Sequence, residues 1–330
     1  MKLAVIGAGA WGTALAKVLS EQSHEVALWV REDDVRLSIA ERRSNDRFLP
    51  GIELPPELRV TGGLGEAVQG VAHVFLVVPS RYLRSVVKAL SPHIPESCLL
   101  VSATKGIEEG SLVRMSEVIR SELSPQPTIV ALSGPSFARE VARGEPTALV
   151  AASPTPGPAL EVQRHFSSTN FRIYTNDDIV GVELGGALKN VIALAVGVAA
   201  GLELGYNPAA ALMTRGLEEI SRLSIAMGGK RGTLAGLTGM GDLVLTCTGH
   251  LSRNRRVGLE LGKGRPLAEI VSTTDQVAEG VSTTHAAVAL ARQHDVEMPI
   301  VCQMDRLLSG KTTPREAMKE LMSRPLRSEI

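Results

Sequence analysis

The sequence predicts an α/β protein in which an N-terminal, doubly wound and mostly parallel sheet is followed by an all-helical C-terminal domain. Short apolar runs typical of buried strands alternate with helix-forming segments as far as about residue 180, which is the pattern of helices packed on both faces of a parallel sheet. Beyond that residue, β-branched runs give way to Ala, Leu, Gly and Met at helical spacing. A chain of 330 residues is comfortable as two domains, and we expect them at 1–180 and 181–330.

The beginning of the sequence has the pattern of a βαβ unit with a glycine turn. Apolar runs at residues 3–6 and 26–30 flank a helix-forming segment, and the turn GAGAWG occupies residues 7–12. It matches G-x-G-x-x-G between a strand and a helix, where glycines permit a tight turn, close approach of the backbone to a pyrophosphate and close helix packing. The context predicts a Rossmann-type dinucleotide site at Gly7, Gly9 and Gly12, and a glycine turn without a ligand is the alternative.

The end of the second predicted strand bears on the choice between NAD and NADP. An acid at this position binds the ribose 2′-hydroxyl of NAD, whereas a basic residue accommodates the 2′-phosphate of NADP. Arg31 comes first after the strand and is followed by Glu32 and Asp33. Arg31 therefore favours NADP, the two acids keep NAD open, and an exposed arginine without a ligand is the ordinary alternative.

Other polar residues fall at the carboxyl ends of later strands, where doubly wound sheets bind ligands. The further strand-like runs occupy residues 71–80, 98–106, 128–136 and 147–153. Lys105 is the one charged residue among these strand ends, and Gly134 and Ser136 end the next strand. Lys105 is either part of a site or a surface lysine in a strand-to-helix loop.

The segment VELGGALKNVIALAVGVAAGLELG, residues 182–205, is apolar except for an acid near each end and the pair Lys189 and Asn190. Its uninterrupted apolar part, residues 191–202, is shorter than the roughly 20 residues that a membrane span needs. We therefore predict a buried core helix rather than a membrane span. Its many small residues predict close packing against other helices.

Lys189 is the best candidate for proton transfer in this sequence. Hydride transfer between a nicotinamide and a carbonyl or hydroxyl carbon needs a group that gives or takes the proton on oxygen. The seven histidines lie in polar or surface-like contexts. A lysine desolvated in an apolar setting has a pKa lowered towards neutrality, which suits this role.

The segment LTGMGDLVLTCTGHLSRNRRVG, residues 237–258, combines an acid, hydroxyls and a basic cluster. Arg253 and Asn254 lead that cluster, and planar guanidinium groups bind phosphate through two hydrogen bonds. In a chain with 35 basic and 35 acidic residues, such a local cluster predicts a site for an anionic substrate. A solvated basic turn is the alternative.

Composition argues against several other classes of protein. The balanced charge and an aromatic content of 3% give neither the basic face nor the stacking surface of a nucleic-acid-binding protein. The cysteines at 98, 247 and 302 lie far apart without metal-ligand spacing, so we expect neither disulfides nor a metal site. We see no signal peptide pattern and expect a cytoplasmic protein.

Several blocks of the sequence resemble those of the bacterial NAD(P)-dependent glycerol-3-phosphate dehydrogenases. They include VIGAGAWGTALA, NDRFLPGIELP, SATKGIE, LSGPSFAREVA, ELGGALKNVIALAVG, GDLVLTCTGHLSRNRRVG and VAEGVSTT, which occur in family order and span most of the chain. GPSFA and the GDLVLTC block are far more specific than a glycine motif. The resemblance implies reversible conversion of dihydroxyacetone phosphate to sn-glycerol 3-phosphate for phospholipid synthesis, with NADP or NAD as the cofactor.

The resemblance also implies roles for individual residues. The catalytic group would be Lys189 as proton donor and acceptor, Lys105, Asp242 and Thr246. The substrate would be bound by Lys105, Gly134, Ser136, Lys189, Asn190, Asp242, Ser252, Arg253 and Asn254. The cofactor would contact Gly7, Gly9, Ala10, Trp11, Gly12, Arg31, Lys105, Ala138, Arg253, Val277 and Glu279. Many relatives carry Ser where this chain has Ala10, so a hydroxyl contact to the pyrophosphate is lost there.

Two other interpretations stay open at the level of sequence. Other two-domain hydroxyacid or ketopantoate-type dehydrogenases share the domain order and a lysine base, but they typically place an Asn one helical turn after the lysine. Here that position is Ala193 and the Asn is adjacent, at 190. A non-catalytic NAD(P) sensor should have lost one of Lys105, Lys189, Asp242 or Arg253. The expected partner is the small-molecule substrate, and a homodimer is our hypothesis for the oligomeric state.

Overall fold

A computed structural model describes residues 1–272, 278–326 and 328 of the chain. The strands are β1 Lys2–Ile6, β2 Glu25–Trp29, β3 Arg59–Thr61, β4 His73–Leu76, β5 Leu99–Ser102, β6 Ile129–Ser133, β7 Thr147–Ala152 and β8 Phe171–Asn176. The helices that connect them are α1 Ala10–Glu21, α2 Asp33–Arg42, α3 Leu64–Ala67, α4 Ser80–Leu90, α5 Met115–Glu122, α6 Ala138–Ala142 and α7 Pro156–Phe166.

After β8 the described residues form helices only. They are α8 Ile179–Gly201, α9 Tyr206–Ala226, α10 Arg231–Leu234, α11 Asp242–Thr248, α12 Arg253–Gly262, α13 Leu267–Ser272, α14 Glu279–Gln293, α15 Pro299–Leu308 and α16 Pro314–Met322, with a π-helical turn over Leu237–Gly241. The predicted change from sheet to helices is therefore confirmed. We call the two regions the sheet part and the helical part, and the domain boundary at residue 180 stays a prediction.

All eight strands belong to one sheet in the order β3-β2-β1-β4-β5-β6-β7-β8. Only the β6–β7 pair is antiparallel, so the predicted doubly wound, mostly parallel sheet is confirmed. Sequence reasoning missed β3 and β8. The first has only three residues, and the second alternates buried and exposed side chains, so neither forms the continuous apolar run by which buried strands were identified.

The apolar runs are continuous because the central strands are covered on both faces. In β1, Leu3 and Val5 belong to one hydrophobic cluster and Ala4 and Ile6 to another, since successive side chains of a strand point to opposite faces. All four are fully buried. This burial on both faces is typical of parallel sheets flanked by helices. Parallel pairing of β1 with β2 and β4 places the carboxyl ends of these three strands side by side.

Helix α8 is the predicted core helix, and it runs through the centre of the helical part. At 23 residues it is long and apolar enough to cross a membrane, but 94% of its most apolar window is buried inside the protein. The prediction of a core helix is confirmed. The length of its apolar run was not a sufficient reason to exclude a membrane span, because the whole helix is long and apolar enough for one. Asp178 caps the helix by accepting a hydrogen bond of 2.8 Å from the Gly181 N–H.

Helices α8 and α12 approach each other through two pairs of glycines four residues apart. A Cβ atom on Gly197 would lie 2.2 Å from the carbonyl oxygen of Arg255, and one on Gly258 would lie 2.1 Å from that of Leu194. Gly201 and Gly262 repeat the arrangement one turn later. Backbone thus packs on backbone, which fixes the beginning of α12 beside the middle of α8.

We expect Gly258→Ala to lower the free energy of unfolding by about 2 kcal/mol or more, because a methyl group at this contact must push two helices apart. Denaturant unfolding of the purified variant would measure the loss. Gly232→Ala is the matched control, since a Cβ there meets nothing within 4 Å, and helix propensity favours alanine by up to about 1 kcal/mol. Equal stability of the Gly258 variant and the wild type would contradict the packing argument.

Candidate active site

The three positions of the turn after β1 carry glycine for different structural reasons. Gly7 has φ +117° and its Cβ would lie 2.6 Å from the Val77 carbonyl oxygen, and a Cβ on Gly12 would lie 1.9 Å from the Gly7 carbonyl oxygen. The fold itself therefore requires both. Gly9 precedes α1, and a Cβ there would meet nothing within 4 Å. The bare backbone at Gly9 and the N–H groups at the start of α1 fit the close approach of a pyrophosphate.

Asn45 stabilises this turn through side-chain hydrogen bonds. The sequence alone indicated no role for it. Its fully buried side chain donates hydrogen bonds of 2.8 Å to the Ala8 carbonyl and to the Thr13 hydroxyl. Its amide oxygen accepts one of 3.1 Å from the Phe48 N–H. The block NDRFLPGIELP contained this residue, but an Asn in a loop carries no local signal that it reaches a distant turn.

Ala10, Trp11 and Ala138 pack against the same hydrophobic cluster, and α6, which begins at Ala138, contacts α1, so three predicted cofactor contacts lie on neighbouring elements. Within the described residues, the indole N–H of Trp11 is buried without a hydrogen-bond partner. Buried donors are normally paired, so this N–H is available to an acceptor on a ligand at the turn. This unpaired donor is a second reason that the residues present fit a dinucleotide.

Arg31 follows β2 and is engaged with two neighbours. Its guanidinium group donates two hydrogen bonds, of 3.0 and 2.6 Å, to one carboxylate oxygen of Glu32. It also lies 5.0 Å from the ring centre of Tyr82, which Arg81 approaches at 4.6 Å. The adjacent acid thus partly neutralises Arg31, and Arg81, which the sequence did not single out, adds a second positive charge.

Lys189, Lys105 and Asp242 form a buried centre where the sheet part meets the helical part. The ammonium of Lys189 donates to one carboxylate oxygen of Asp242 at 2.5 Å and to the Thr246 hydroxyl at 2.7 Å. The ammonium of Lys105 donates to the other oxygen of Asp242 at 2.7 Å and to the Gly134 carbonyl at 3.1 Å. One carboxylate therefore holds two ammonium groups that come from different parts of the fold.

The surroundings of Lys189 bring its pKa close to physiological pH. The pKa of Lys189 is lowered to about 8, chiefly by burial and also by the positive charge of Lys105, while the Asp242 carboxylate opposes both effects. Desolvation disfavours the charged form of an amine. Lys189 can therefore gain and lose a proton near physiological pH.

A pair of glycines brings α8 close enough to build the centre. A Cβ on Gly186 would lie 2.5 Å from the Ser133 hydroxyl oxygen, and one on Gly185 would lie 2.8 Å from the Thr238 carbonyl oxygen. Larger residues would separate Lys189 from the loops that carry Lys105 and Asp242. The Ser133 hydroxyl is buried with no partner among the described residues, and sequence reasoning missed it although it lies in the LSGPS block.

A second polar group begins one residue after Lys189. Asn254 donates from its amide nitrogen to the Asn190 side-chain oxygen at 2.9 Å and accepts at 2.9 Å from the Gly280 N–H. Ser252 caps α12 by accepting from the Arg255 N–H at 3.2 Å. Arg253 is exposed at the first position of that helix. The predicted anion site is thus joined to the lysine centre through adjacent residues of α8 and α12.

Two further predicted residues lie at the edge of these groups. The Ser136 hydroxyl donates to the Gly134 carbonyl at 3.0 Å. Glu279 is partly buried at the beginning of α14, where burial raises its pKa and the charge of Arg253 opposes that change. Val277 lies outside the described residues.

In the described part of the chain, His, Cys, Asp and Glu side chains form no group of three or more that could hold a metal ion. Most of the predicted residues fall into three sets. The lysine centre contains Lys105, Gly134, Lys189, Asp242 and Thr246, the group beside it contains Asn190, Ser252, Arg253 and Asn254, and the turn region contains Gly7, Gly9, Ala10, Trp11, Gly12 and Ala138. Arg31 lies with Glu32 and Tyr82.

The sheet part contains a glycine turn suited to a dinucleotide, and a buried lysine with a pKa of about 8 lies where the sheet part meets the helical part. Together these features define a pyridine-nucleotide dehydrogenase with a sheet part and a helical part. The family models of the NAD-dependent glycerol-3-phosphate dehydrogenase N-terminus and C-terminus match residues 2–158 and 178–319. The chain belongs to the NAD-dependent glycerol-3-phosphate dehydrogenase family. This membership separates it from the hydroxyacid and ketopantoate-type dehydrogenases considered above.

Close relatives agree over the whole length. The glycerol-3-phosphate dehydrogenase [NAD(P)+] of Koribacter versatilis is 54% identical and covers 100% of this chain and 99% of its own length. That of Citrifermentans bemidjiense is 51% identical over 99% of this chain and 98% of its own. The crystal structure of glycerol-3-phosphate dehydrogenase from Coxiella burnetii is similar with a TM-score of 0.94 and 41% identity, covering 98% of this chain and 99% of that one.

Proposed function

We propose that this protein catalyses reversible hydride transfer between NAD(P)H and dihydroxyacetone phosphate, giving sn-glycerol 3-phosphate for glycerophospholipid synthesis. The observation that carries the proposal is the centre in which Asp242 holds both Lys189 and Lys105. In such a centre one ammonium group can give its proton to a carbonyl oxygen while the second ammonium group keeps a positive charge beside that oxygen. Family membership supports the choice of a triose phosphate over other carbonyl compounds.

Lys189 is the proton donor and acceptor in this proposal. A bound nicotinamide supplies the hydride to the carbonyl carbon, or accepts it in the reverse direction. The ammonium of Lys189 gives its proton to the substrate oxygen as negative charge develops there, and the neutral amine takes the proton back during oxidation. Asp242 and Thr246 fix the direction of the lysine, and the ammonium of Lys105 stabilises the developing charge.

The substrate phosphate is bound at the beginning of α12. Arg253 offers an exposed guanidinium group, and Asn254 retains one amide hydrogen beyond the bond that it donates to Asn190. Asn190 contributes its own amide nitrogen, and Ser252 lies beside them as the helix cap. The N-terminus of α12 adds a favourable dipole for an anion. Gly134 and Ser136 complete the substrate end of the cleft.

The dinucleotide is held by the turn after β1 and the adjoining elements. Backbone N–H groups at Gly9, Ala10, Trp11 and Gly12 would bind the pyrophosphate beside Gly7, whose own N–H donates to the Trp29 carbonyl at 3.2 Å, and Ala138 and Glu279 would contribute further contacts. Lys105 and Arg253 face both the cofactor and the substrate. Because Ala10 lacks a hydroxyl, backbone donors alone serve the pyrophosphate at that position.

The purified protein should oxidise NADPH or NADH when dihydroxyacetone phosphate is added, measured as loss of nicotinamide absorbance. Unphosphorylated dihydroxyacetone should be a much poorer substrate. The alternative function, a non-catalytic NAD(P) sensor, predicts cofactor binding by fluorescence titration without turnover of either compound. Cofactor binding with no turnover would therefore overturn the proposed function in favour of a sensor.

We expect both cofactors to be used, with Arg31 favouring NADPH. Arg31→Ala should raise the KM for NADPH about tenfold and change that for NADH by less than about twofold, because one charge-assisted bond to the 2′-phosphate contributes roughly 1.5 kcal/mol. Initial rates with each cofactor would measure the difference. Arg42→Ala, an exposed arginine on α2, is the control and should alter neither value. An equal change for both cofactors would contradict this role.

The proposal extends to a cytoplasmic, homodimeric enzyme. The three cysteines are free thiols, two of them buried, as is usual in a reducing compartment. Light scattering of the purified protein should give a mass of twice 35.0 kDa. A mass of 35.0 kDa at micromolar concentration would contradict the dimer.

A further inference from the structure

Glu183 is a buried acid on α8 that lies outside the three sets of the candidate site. Its carboxylate accepts hydrogen bonds of 2.5 Å from the Arg114 guanidinium, 2.7 Å from the Ser116 N–H and 2.7 Å from the Ser116 hydroxyl. All three donors belong to the sheet part, whereas Glu183 lies on α8, the first helix of the helical part. It is thus a polar link across the junction at which the lysine centre lies.

The link completes the N-terminus of α5. The first N–H groups of a helix have no partner within the helix and are usually capped by a Ser, Thr, Asp or Asn side chain. Here the capping position is Arg114, whose side chain has no acceptor atom. Glu183 accepts from the Ser116 N–H in place of a local cap and forms an ion pair with Arg114. Burial raises the pKa of Glu183, and the charge of Arg114 opposes that change.

Arg114 is also one end of the loop that carries Lys105. An isolated β-bridge joins Arg114 to Ile107, two residues after Lys105, and the Glu108 N–H donates to the Val113 carbonyl at 3.0 Å. These contacts join the two halves of the loop between β5 and α5. The bridge therefore ties the position of Arg114 to that of Ile107, two residues after Lys105.

We propose that Glu183 is a positioning residue, which holds the Lys105 loop on α8 so that Lys105 and Lys189 meet on the same Asp242 carboxylate. Helix α8 carries both Glu183 and Lys189, so one rigid element sets the two attachment points. The inference rests on the proposed function, because it assigns Glu183 to the geometry of that reaction.

Glu183→Gln tests this proposal, since the amide keeps an acceptor for Ser116 but loses the ion pair with Arg114. We expect kcat to fall about 10- to 100-fold, because small displacements of catalytic groups have effects of this size, and the KM values to change by a smaller factor, because Lys105 is only one of several binding residues. The wild-type rate of carbonyl reduction should fall as pH rises through the pKa of Lys189. In the variant that decline should move to higher pH.

The direction of the shift follows from the titratable groups of the described residues that interact electrostatically with Lys189, which include Asp242, Lys105, Cys247 and Glu279. Of these, Lys105 is the positive charge that lowers the pKa of Lys189. If Lys105 moves away, the pKa of Lys189 rises. A loss of stability alone would lower the amount of active enzyme without moving the pH profile.

Glu219→Gln is the matched control. Glu219 is likewise buried and accepts hydrogen bonds from N–H groups at the start of a helix, at 2.8 Å from Ile300 and 3.2 Å from Val301. Both donors lie in the helical part, so this control should keep kcat and the pH profile of the wild type. A shift in its profile equal to that of Glu183→Gln would overturn the proposal.

Ser116→Ala provides a second test in case Glu183→Gln does not fold. It removes one of the three donors to Glu183 and should give a smaller change of kcat and of the pH profile in the same direction. Wild-type kcat and pH profile in the folded variants would overturn the positioning role. Failure of the proposed function is a different result, because the unmutated protein would then show no turnover.

Discussion

Lys189→Ala is expected to lower kcat for dihydroxyacetone phosphate reduction about 1000-fold, because general acid catalysis contributes roughly 100- to 10,000-fold. The variant also removes one of the two ammonium groups on Asp242. Cofactor binding should change by less than about twofold, since Lys189 contacts Asp242 and Thr246 rather than the glycine turn. Steady-state rates and a fluorescence titration with NADPH would measure the two effects separately.

The pH dependence of the wild type provides an independent check on Lys189. With a pKa of about 8, the lysine is protonated below that pH and can donate to the substrate oxygen. The rate of reduction should therefore fall as pH rises through about 8, and the rate of glycerol 3-phosphate oxidation should rise over the same interval. Lys88→Ala, an exposed lysine on α4, is the control. Near-normal activity of Lys189→Ala would show that another group transfers the proton.

Arg253→Ala is expected to raise the KM for dihydroxyacetone phosphate roughly 100-fold, because removal of a guanidinium partner from a phosphate costs about 2 to 3 kcal/mol. The effect on kcat and on cofactor affinity should be small by comparison. Initial-rate measurements at saturating NADPH would determine KM and kcat separately.

Arg256→Ala is the matched control for this effect. Arg256 is exposed on the same helix, and both variants change the net charge by the same amount. A general charge effect would raise KM equally in both variants. Equal use of unphosphorylated dihydroxyacetone by the wild type would contradict a phosphate site at α12 altogether.

Much of the fold could be predicted from local patterns. The continuous apolar runs predicted β1, β2 and β4 to β7 because these strands are buried on both faces, and the glycine turn predicted where α1 begins. The polar pair Lys189 and Asn190 was conspicuous because every neighbouring residue is apolar. The short strand β3 and the half-exposed strand β8 lack such a pattern and were missed.

The individual contacts of the site could not be predicted in this way. Asn45 reaches the glycine turn from 37 residues away, and Glu183 caps a helix 67 residues before it. Polar residues of this kind have no periodic pattern, since their partners are set by the packing of elements rather than by spacing along the chain.

By itself, the sequence determined six of the eight strands, the change to helices after the sheet, the glycine turn and the presence of a lysine in an apolar helix, because each depends on neighbouring residues. Only the tertiary structure decided that α8 is covered by protein, and that Asp242 binds Lys189 and Lys105 from 53 and 137 residues away. Burial and the charge of Lys105 lower the pKa of Lys189, and both are properties of surroundings that separate elements assemble. The chemistry of Lys189 therefore depends on three-dimensional proximity.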